Sequence, residues 1–157
     1  MLLVSTASAQ SVAATTDATG TTTILRPLTV VRTADLDFGS IIVAGAGTAV
    51  IDPVSGTMTT TGPLTVVGSA QQPASFTTTG SRNSIVLIRL PQQPVTLTRV
   101  GGTETMTVTN FTLDGPSNRR FPITQTFDFA VGARLNVAAG QADGSYLGSF
   151  TVTVQYP

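Results

Sequence analysis

The sequence contains no cysteine, no histidine, no lysine and no tryptophan. Without cysteine there is no disulfide framework, and the composition does not indicate a redox compartment. The joint absence of histidine and cysteine excludes histidine-based catalytic triads, cysteine nucleophiles and the usual zinc, copper and haem sites. A serine nucleophile activated by lysine is excluded as well. We therefore expect no enzyme activity, no catalytic residue, no metal and no cofactor.

Charge is also scarce. Eight arginines balance eight acidic residues, and charged residues make up 10% of the 157-residue chain. No basic patch for nucleic acid is visible, so we expect no nucleic-acid partner. No apolar run reaches the roughly 18 residues that a membrane span needs, so we expect no span. The mean hydropathy of +0.28 is high for so few charges and predicts that another subunit covers part of the surface.

The N-terminus resembles the end of a secretory signal. Leu2–Val4 would close its apolar region, and Ala7-Ser8-Ala9 would form the cleavage site before Gln10. This pattern predicts residues 1–9 as a signal-peptide remnant and the protein as exported. The alternative is a flexible N-terminus of small residues.

Thr, Val, Gly and Ser dominate the sequence, and Glu104 is the only glutamate. Because β-branched residues favour strands, this composition predicts an all-β fold, with short strands arranged as an antiparallel sandwich or barrel. Turn signals such as "DPVSG" and "DGPSN" separate the strands. The candidate strands are Thr22–Thr33, Ser40–Val43, Thr48–Asp52, Thr57–Thr61, Leu64–Val67, Ala74–Thr78, Ser84–Leu90, Val95–Arg99, Thr103–Leu113, Thr126–Val131, Arg134–Val137 and Ser145–Tyr156.

Two of these strands differ in their apolar pattern. "NSIVLIRLP" (Asn83–Pro91) is apolar on both faces and predicts a central strand that is buried on both sides or faces a partner. In "TETMTVTNFTL" (Thr103–Leu113), Met106, Val108 and Asn110 alternate with threonines, which predicts a half-exposed strand.

The charged residues favour structural roles over catalysis. Asp35 and Asp37 lie two apart, but Asp37 precedes Phe38-Gly39, where its carboxylate is expected to accept backbone hydrogen bonds in a turn. The pair Arg119-Arg120 is interpreted as a solvated loop pair rather than a phosphate or carboxylate site.

The cleanest alternation lies in the C-terminal segment, Gly144–Tyr156, where Phe150, Val152, Val154 and Tyr156 share one face. Together with "TADLDFGSIIVAGAGTAVIDPVSG", this segment resembles the secreted bacterial domains known as domain of unknown function 4402. A wider similarity is to chaperone–usher pilins and spore-coat U-like subunits. In those families a D-F-G motif follows the first strand, and a penultimate tyrosine and a glycine fourteen residues from the end mark the last. Gly144 and Tyr156 match that spacing.

The pilin resemblance implies an immunoglobulin-like antiparallel β-sandwich over residues 29–157 that lacks its final strand and is completed by a donor strand. Gly144, Phe150, Val152, Val154 and Tyr156 would then line the polymerisation acceptor strand. The implied partners are neighbouring copies of the chain, a periplasmic chaperone and an outer-membrane usher. The implied location is the periplasm in transit and then a cell-surface fibre.

Residues 10–28 form an N-terminal extension, which the resemblance makes the candidate donor strand. The donor candidates on one face of this extension are Val12, Ala14, Ala18, Thr22 and Ile24. In another interpretation, Ile24–Val31 is the first strand and completes the fold in cis. The two functional expectations are a structural subunit of a fibre assembled by donor-strand exchange and a self-complete secreted sandwich that binds a surface or matrix ligand.

Overall fold

The computed structural model describes residues 16–157, and this part of the chain forms thirteen β-strands and no helix. All of the strand pairings are antiparallel. The strands are β1 (Thr29–Ala34), β2 (Ser40–Val43), β3 (Gly47–Ile51), β4 (Met58–Thr61), β5 (Leu64–Val67), β6 (Ala74–Thr79), β7 (Ile85–Arg89), β8 (Val95–Arg99), β9 (Thr105–Leu113), β10 (Asn118–Arg120), β11 (Thr126–Val137), β12 (Tyr146–Leu147) and β13 (Thr153–Gln155).

One layer is an eight-stranded sheet built around β11. The order β1-β6-β11-β9-β8-β12 runs across it, and β3 joins β11 to β4. The first half of β11 pairs with β6 and the second half with β3, while β9 runs along the other side. The two strands predicted at Thr126–Val131 and Arg134–Val137 are therefore one continuous strand.

A bulge in β9 keeps apolar side chains on the inner face. Gly132 pairs with Thr112, whereas Arg134 pairs with Thr109, so β9 carries one extra residue here. Asn110 lies in this interval with a φ of 50°, a backbone conformation that asparagine tolerates. The predicted alternation is wrong at Asn110, which is exposed, because the bulge returns Phe111 to the core side.

The second layer consists of two separate sheets, a β2-β5 ribbon and a β10-β7-β13 sheet. Around the ribbon, Phe38 and Leu64 pack with Ile51, Val108 and Leu135 of the large sheet. A second core cluster lies between the three-stranded sheet and the other part of the large sheet. The buried members of this cluster are Ala74, Phe76, Ile88, Phe129 and Val131. These two layers confirm the predicted all-β, sandwich-like fold class.

The C-terminal segment runs along both layers. Its β12 pairs with β8 of the large sheet, and its β13 pairs with β7 of the three-stranded sheet. Leu147 pairs with Thr98 of β8, and Thr153 pairs with Arg89 of β7. The C-terminal segment thus advances six residues between these two pairs, whereas the chain from β7 to β8 advances nine. Three extra partner residues therefore bulge in the Pro-rich connection between β7 and β8, and the predicted strand Ser145–Tyr156 is split into two short pieces.

Burial of β7 differs from the prediction. The strand is central in its sheet, but only Val86 and Ile88 are buried, while Ile85 is 44% exposed. Burial on both faces was wrong because only the large sheet covers this layer among the residues described. The alternative, that one face of the strand meets a partner, stays a prediction.

Candidate functional site

The predicted acceptor side chains face the core. Val154 pairs with the buried Ile88, which places it on the inner face, and Phe150 and Val152 pack against the same cluster. The Phe150 ring lies 5.0 Å from that of Phe111, centroid to centroid. These side chains are only partly buried within residues 16–157.

An open groove lies between β2 and the first half of the C-terminal segment. Among the strands described, β2 pairs only with β5, and β12 only with β8, so each has one free edge. The groove has a volume of about 850 Å³, with residues 35–41, which lead into β2, on one wall and residues 144–150, which contain β12, on the other. Its apolar lining includes Leu36, Phe38, Ile41, Phe76, Phe111 and Phe150.

The first strand is uncovered on the groove side. Val30 and Arg32 lie on the inner face of β1, because they pair with Thr78 and Phe76, both of which are buried. Val30 is nevertheless 37% exposed. An inner-face valine in a complete sandwich would be covered by the opposite layer. Within residues 16–157, β1 has no such cover.

Tyr156 marks one end of the C-terminal segment. Its hydroxyl accepts a hydrogen bond from the Ser81 N–H and donates one to the Arg26 carbonyl oxygen, both at 2.9 Å. Desolvation raises the pKa of Tyr156, but hydrogen bonds from Ser81 and Ser84 outweigh it, so the pKa lies below the usual 10.0. The tyrosine thus ties the last strand to the base of the N-terminal extension.

Gly144 marks the other end. Its φ of 138° is one that other residues rarely adopt, and an added Cβ would lie 2.8 Å from the Arg99 Nε. The same Nε donates a 2.7 Å hydrogen bond to the Asp143 carbonyl oxygen. The glycine therefore allows the turn to press against Arg99 where the C-terminal segment begins.

The donor candidates that the structure describes do not line the groove. Ala18, Thr22 and Ile24 are exposed and outside any strand, with Ile24 91% exposed. Val12 and Ala14 lie outside the described residues. Of the alternative first strand Ile24–Val31, residues 29–31 lie in β1, which pairs with β6, and residues 24–28 form no strand.

The acidic residues have structural partners. Asp37 accepts a 2.7 Å hydrogen bond from the Gly39 N–H, which confirms the predicted turn, and Asp35 forms an ion pair with Arg32 at 2.6 Å. Within residues 16–157, no group of three acidic side chains could hold a metal ion.

The solvated-loop interpretation was wrong for Arg119. It pairs with Asp114 at 2.5 Å and lies over the rings of Phe127 and Phe129. Sequence reasoning also missed the second wall of the groove, although the alternation of Leu36 and Phe38 before β2 carried a signal for it.

The comparisons with known proteins identify a family for this chain. The sequence model of the family described as Domain of unknown function (DUF4402) matches residues 28–156. No curated protein and no solved structure matches the chain. In the part of the chain described, no helix has the length and apolar character of a membrane span.

Proposed function

The chain belongs to the DUF4402 family, and we propose that it is a structural subunit of an extracellular fibre assembled by donor-strand exchange. One observation carries this function. β2 and β12 both line the groove, and each has one free edge. One extended strand placed there would pair with such a free edge, because an added strand bonds to the unpaired backbone groups of an edge strand.

The shape of the groove favours a strand over a small molecule. Its volume alone would suit either, since pockets for small ligands measure about 300–1,000 Å³. Free strand edges, however, offer rows of backbone N–H and C=O groups that an added strand satisfies along its whole length. Alternate side chains of that strand would pack on the apolar lining, which includes Phe111 and Phe150.

A neighbouring copy is the proposed source of the strand. Residues 16–25 of the extension are exposed and form no strand, so they are free to pair elsewhere. An extension that fills the next subunit's groove makes a head-to-tail contact that does not close on itself. Repetition of that contact produces a fibre.

Export and chaperoning belong to the same proposal. An unfilled groove exposes apolar side chains and two strand edges, which invite aggregation. A periplasmic chaperone would cover the groove in transit and an outer-membrane usher would exchange it for a neighbour's extension. The candidate signal, residues 1–9, would direct this export.

Deletion of residues 10–23 tests the function. We expect the purified protein to form filaments in electron micrographs, and the deletion variant to form none yet to bind a synthetic peptide of residues 10–25. A matched control peptide with Ile24→Asp should not bind, because it places a charge in an apolar groove. If the full protein is a stable monomer that refolds alone and ignores the peptide, the self-complete sandwich that binds a surface ligand is supported instead.

A further inference from the structure

Arg26, at the root of the extension, is held at three points by distant parts of the chain. Its N–H donates a 2.6 Å hydrogen bond to the Ser81 Oγ, and its carbonyl oxygen accepts the hydroxyl of Tyr156. Its guanidinium donates to the side-chain oxygen of Gln125. Both backbone groups of Arg26 are therefore occupied beside the end of the C-terminal segment.

The next two residues stiffen the same root. Pro27 has a fixed φ and disfavours the helical conformation of the residue before it, which favours an extended backbone at Arg26. Leu28 then lies against Gly80, where an added Cβ would be 2.8 Å from the leucine Cδ2. A chain held in this way does not readily reverse direction between Leu25 and Thr29.

We propose that Arg26 and Pro27 form a clamped root that keeps the extension out of the protein's own groove and presents it to a second copy of the chain. The proposal rests on the function proposed above. Tyr156 and Ser81 act in it as positioning residues, which hold the backbone of Arg26.

Strand direction supports this preference. The root lies at the Tyr156 end of the C-terminal segment, so a protein's own extension could run only parallel to that segment. A neighbour's extension can enter from the Gly144 end and run antiparallel. Antiparallel pairing is slightly more stable per residue than parallel pairing and matches every other strand pair in the fold.

Pro27→Gly is the decisive variant, because Pro27 lies outside the groove and the substitution only frees the root. We expect it to lose filaments and to bind the peptide of residues 10–25 about tenfold more weakly, which corresponds to a self-closed fraction of about nine tenths. Calorimetry and electron microscopy give the two readouts. Pro116→Gly, at an exposed proline in the turn before β10, is the matched control and should behave as the unaltered protein.

A second deletion separates self-closure from damage. Removal of residues 10–23 from the Pro27→Gly variant should restore peptide binding, because the competing extension is gone. If peptide binding is not restored, the variants Ser81→Ala and Tyr156→Phe are measured by calorimetry and electron microscopy. The clamp predicts that both variants bind the peptide more weakly and lose filaments. Folded root variants that form filaments and bind the peptide as the unaltered protein does would overturn the clamp while leaving donor-strand exchange in place. Absence of peptide binding by the 10–23 deletion in the unaltered background would overturn both.

Discussion

β11 and the C-terminal segment both direct alternate apolar side chains into the core, yet their surroundings differ. Between Val131 and Asn136, β11 is paired on both edges, by β6 and β3 on one side and by β9 on the other, and Val131 and Leu135 are buried. Phe129, before this stretch, pairs only with β6 and is buried in the cluster that contains Ile88 of the opposite layer. The C-terminal segment is paired on one edge, and none of its residues from Gly144 to Tyr156 is buried.

The difference shows that the alternation of apolar residues determines which face of a strand points to the core, but not whether that face is buried. A side chain on the inner face is buried only where the opposite layer covers it, and neighbouring strands on both edges add to that cover. β11 has that cover from its own chain. For the C-terminal segment, a strand from a neighbour would supply this cover. Four measurements test the contrast between the two regions.

Phe129→Ala should have the largest effect. Phe129 is 2% exposed, and its ring stacks on Phe76 at 5.2 Å between centroids. Its truncation leaves a cavity, so we expect the free energy of unfolding to fall by about 3–5 kcal/mol. The loss, measured by urea denaturation, should be the same with and without the peptide of residues 10–25. A loss below about 1 kcal/mol would show that this part of the core is not closed.

Phe150→Ala should cost less in the isolated protein, about 1–2 kcal/mol, because the ring is only partly buried against Phe111. Its main effect should appear with the peptide. At a peptide concentration of about 100 Kd, the unaltered protein should gain about 2.7 kcal/mol, and the variant should lose most of this gain. If the variant instead matches Phe129→Ala and is insensitive to peptide, the C-terminal segment is an ordinary closed core strand.

Gly144→Ala should destabilise the isolated protein by about 1–2 kcal/mol, because alanine must adopt a φ of 138° and displace the Arg99 side chain. Gly20→Ala is the control, since nothing lies within 4 Å of a Cβ added there. Thermal denaturation of both variants without peptide measures the difference. Equal stability would contradict a conformational role for Gly144 at the start of the C-terminal segment.

Asp52→Asn should have the smallest effect and lies in the closed region, between β3 and β4. Hydrogen bonds from the Ser55 N–H, the Ser55 hydroxyl and the Val54 N–H lower the pKa of Asp52 below its ordinary 3.8. Its ionised form therefore adds stability above the unfolded-state pKa, and this is lost as pH falls through the lower folded-state pKa.

The stability difference between the unaltered protein and Asp52→Asn should accordingly shrink between about pH 5 and pH 2, with and without peptide. Denaturation at a series of pH values measures it. A stability difference that grows on acidification would show that the pKa of Asp52 is raised rather than lowered by folding. A difference that depends on the peptide would link this turn to the groove.

Local chemistry made much of the fold predictable. Turn residues such as Asp37 and Asp52 were identified because an aspartate hydrogen-bonds to backbone N–H groups a few residues ahead. The inner face of Phe150 and Val154 followed from period-two alternation. The Asn110 bulge was missed, because it depends on which distant residue lies opposite. The partly buried pairing of Arg119 with Asp114 was missed because it depends on how the loop folds back beside Phe127 and Phe129.

By itself, the sequence determined the strand content, the absence of cysteine and histidine chemistry, and the face that the C-terminal segment turns to the core. Only the tertiary structure decided that β2 and this segment line the same groove, and that Arg26 meets Tyr156, 130 residues away. The physical reason is that alternation and turn chemistry act over a few residues. Sheet order depends instead on how whole strands compete for partners.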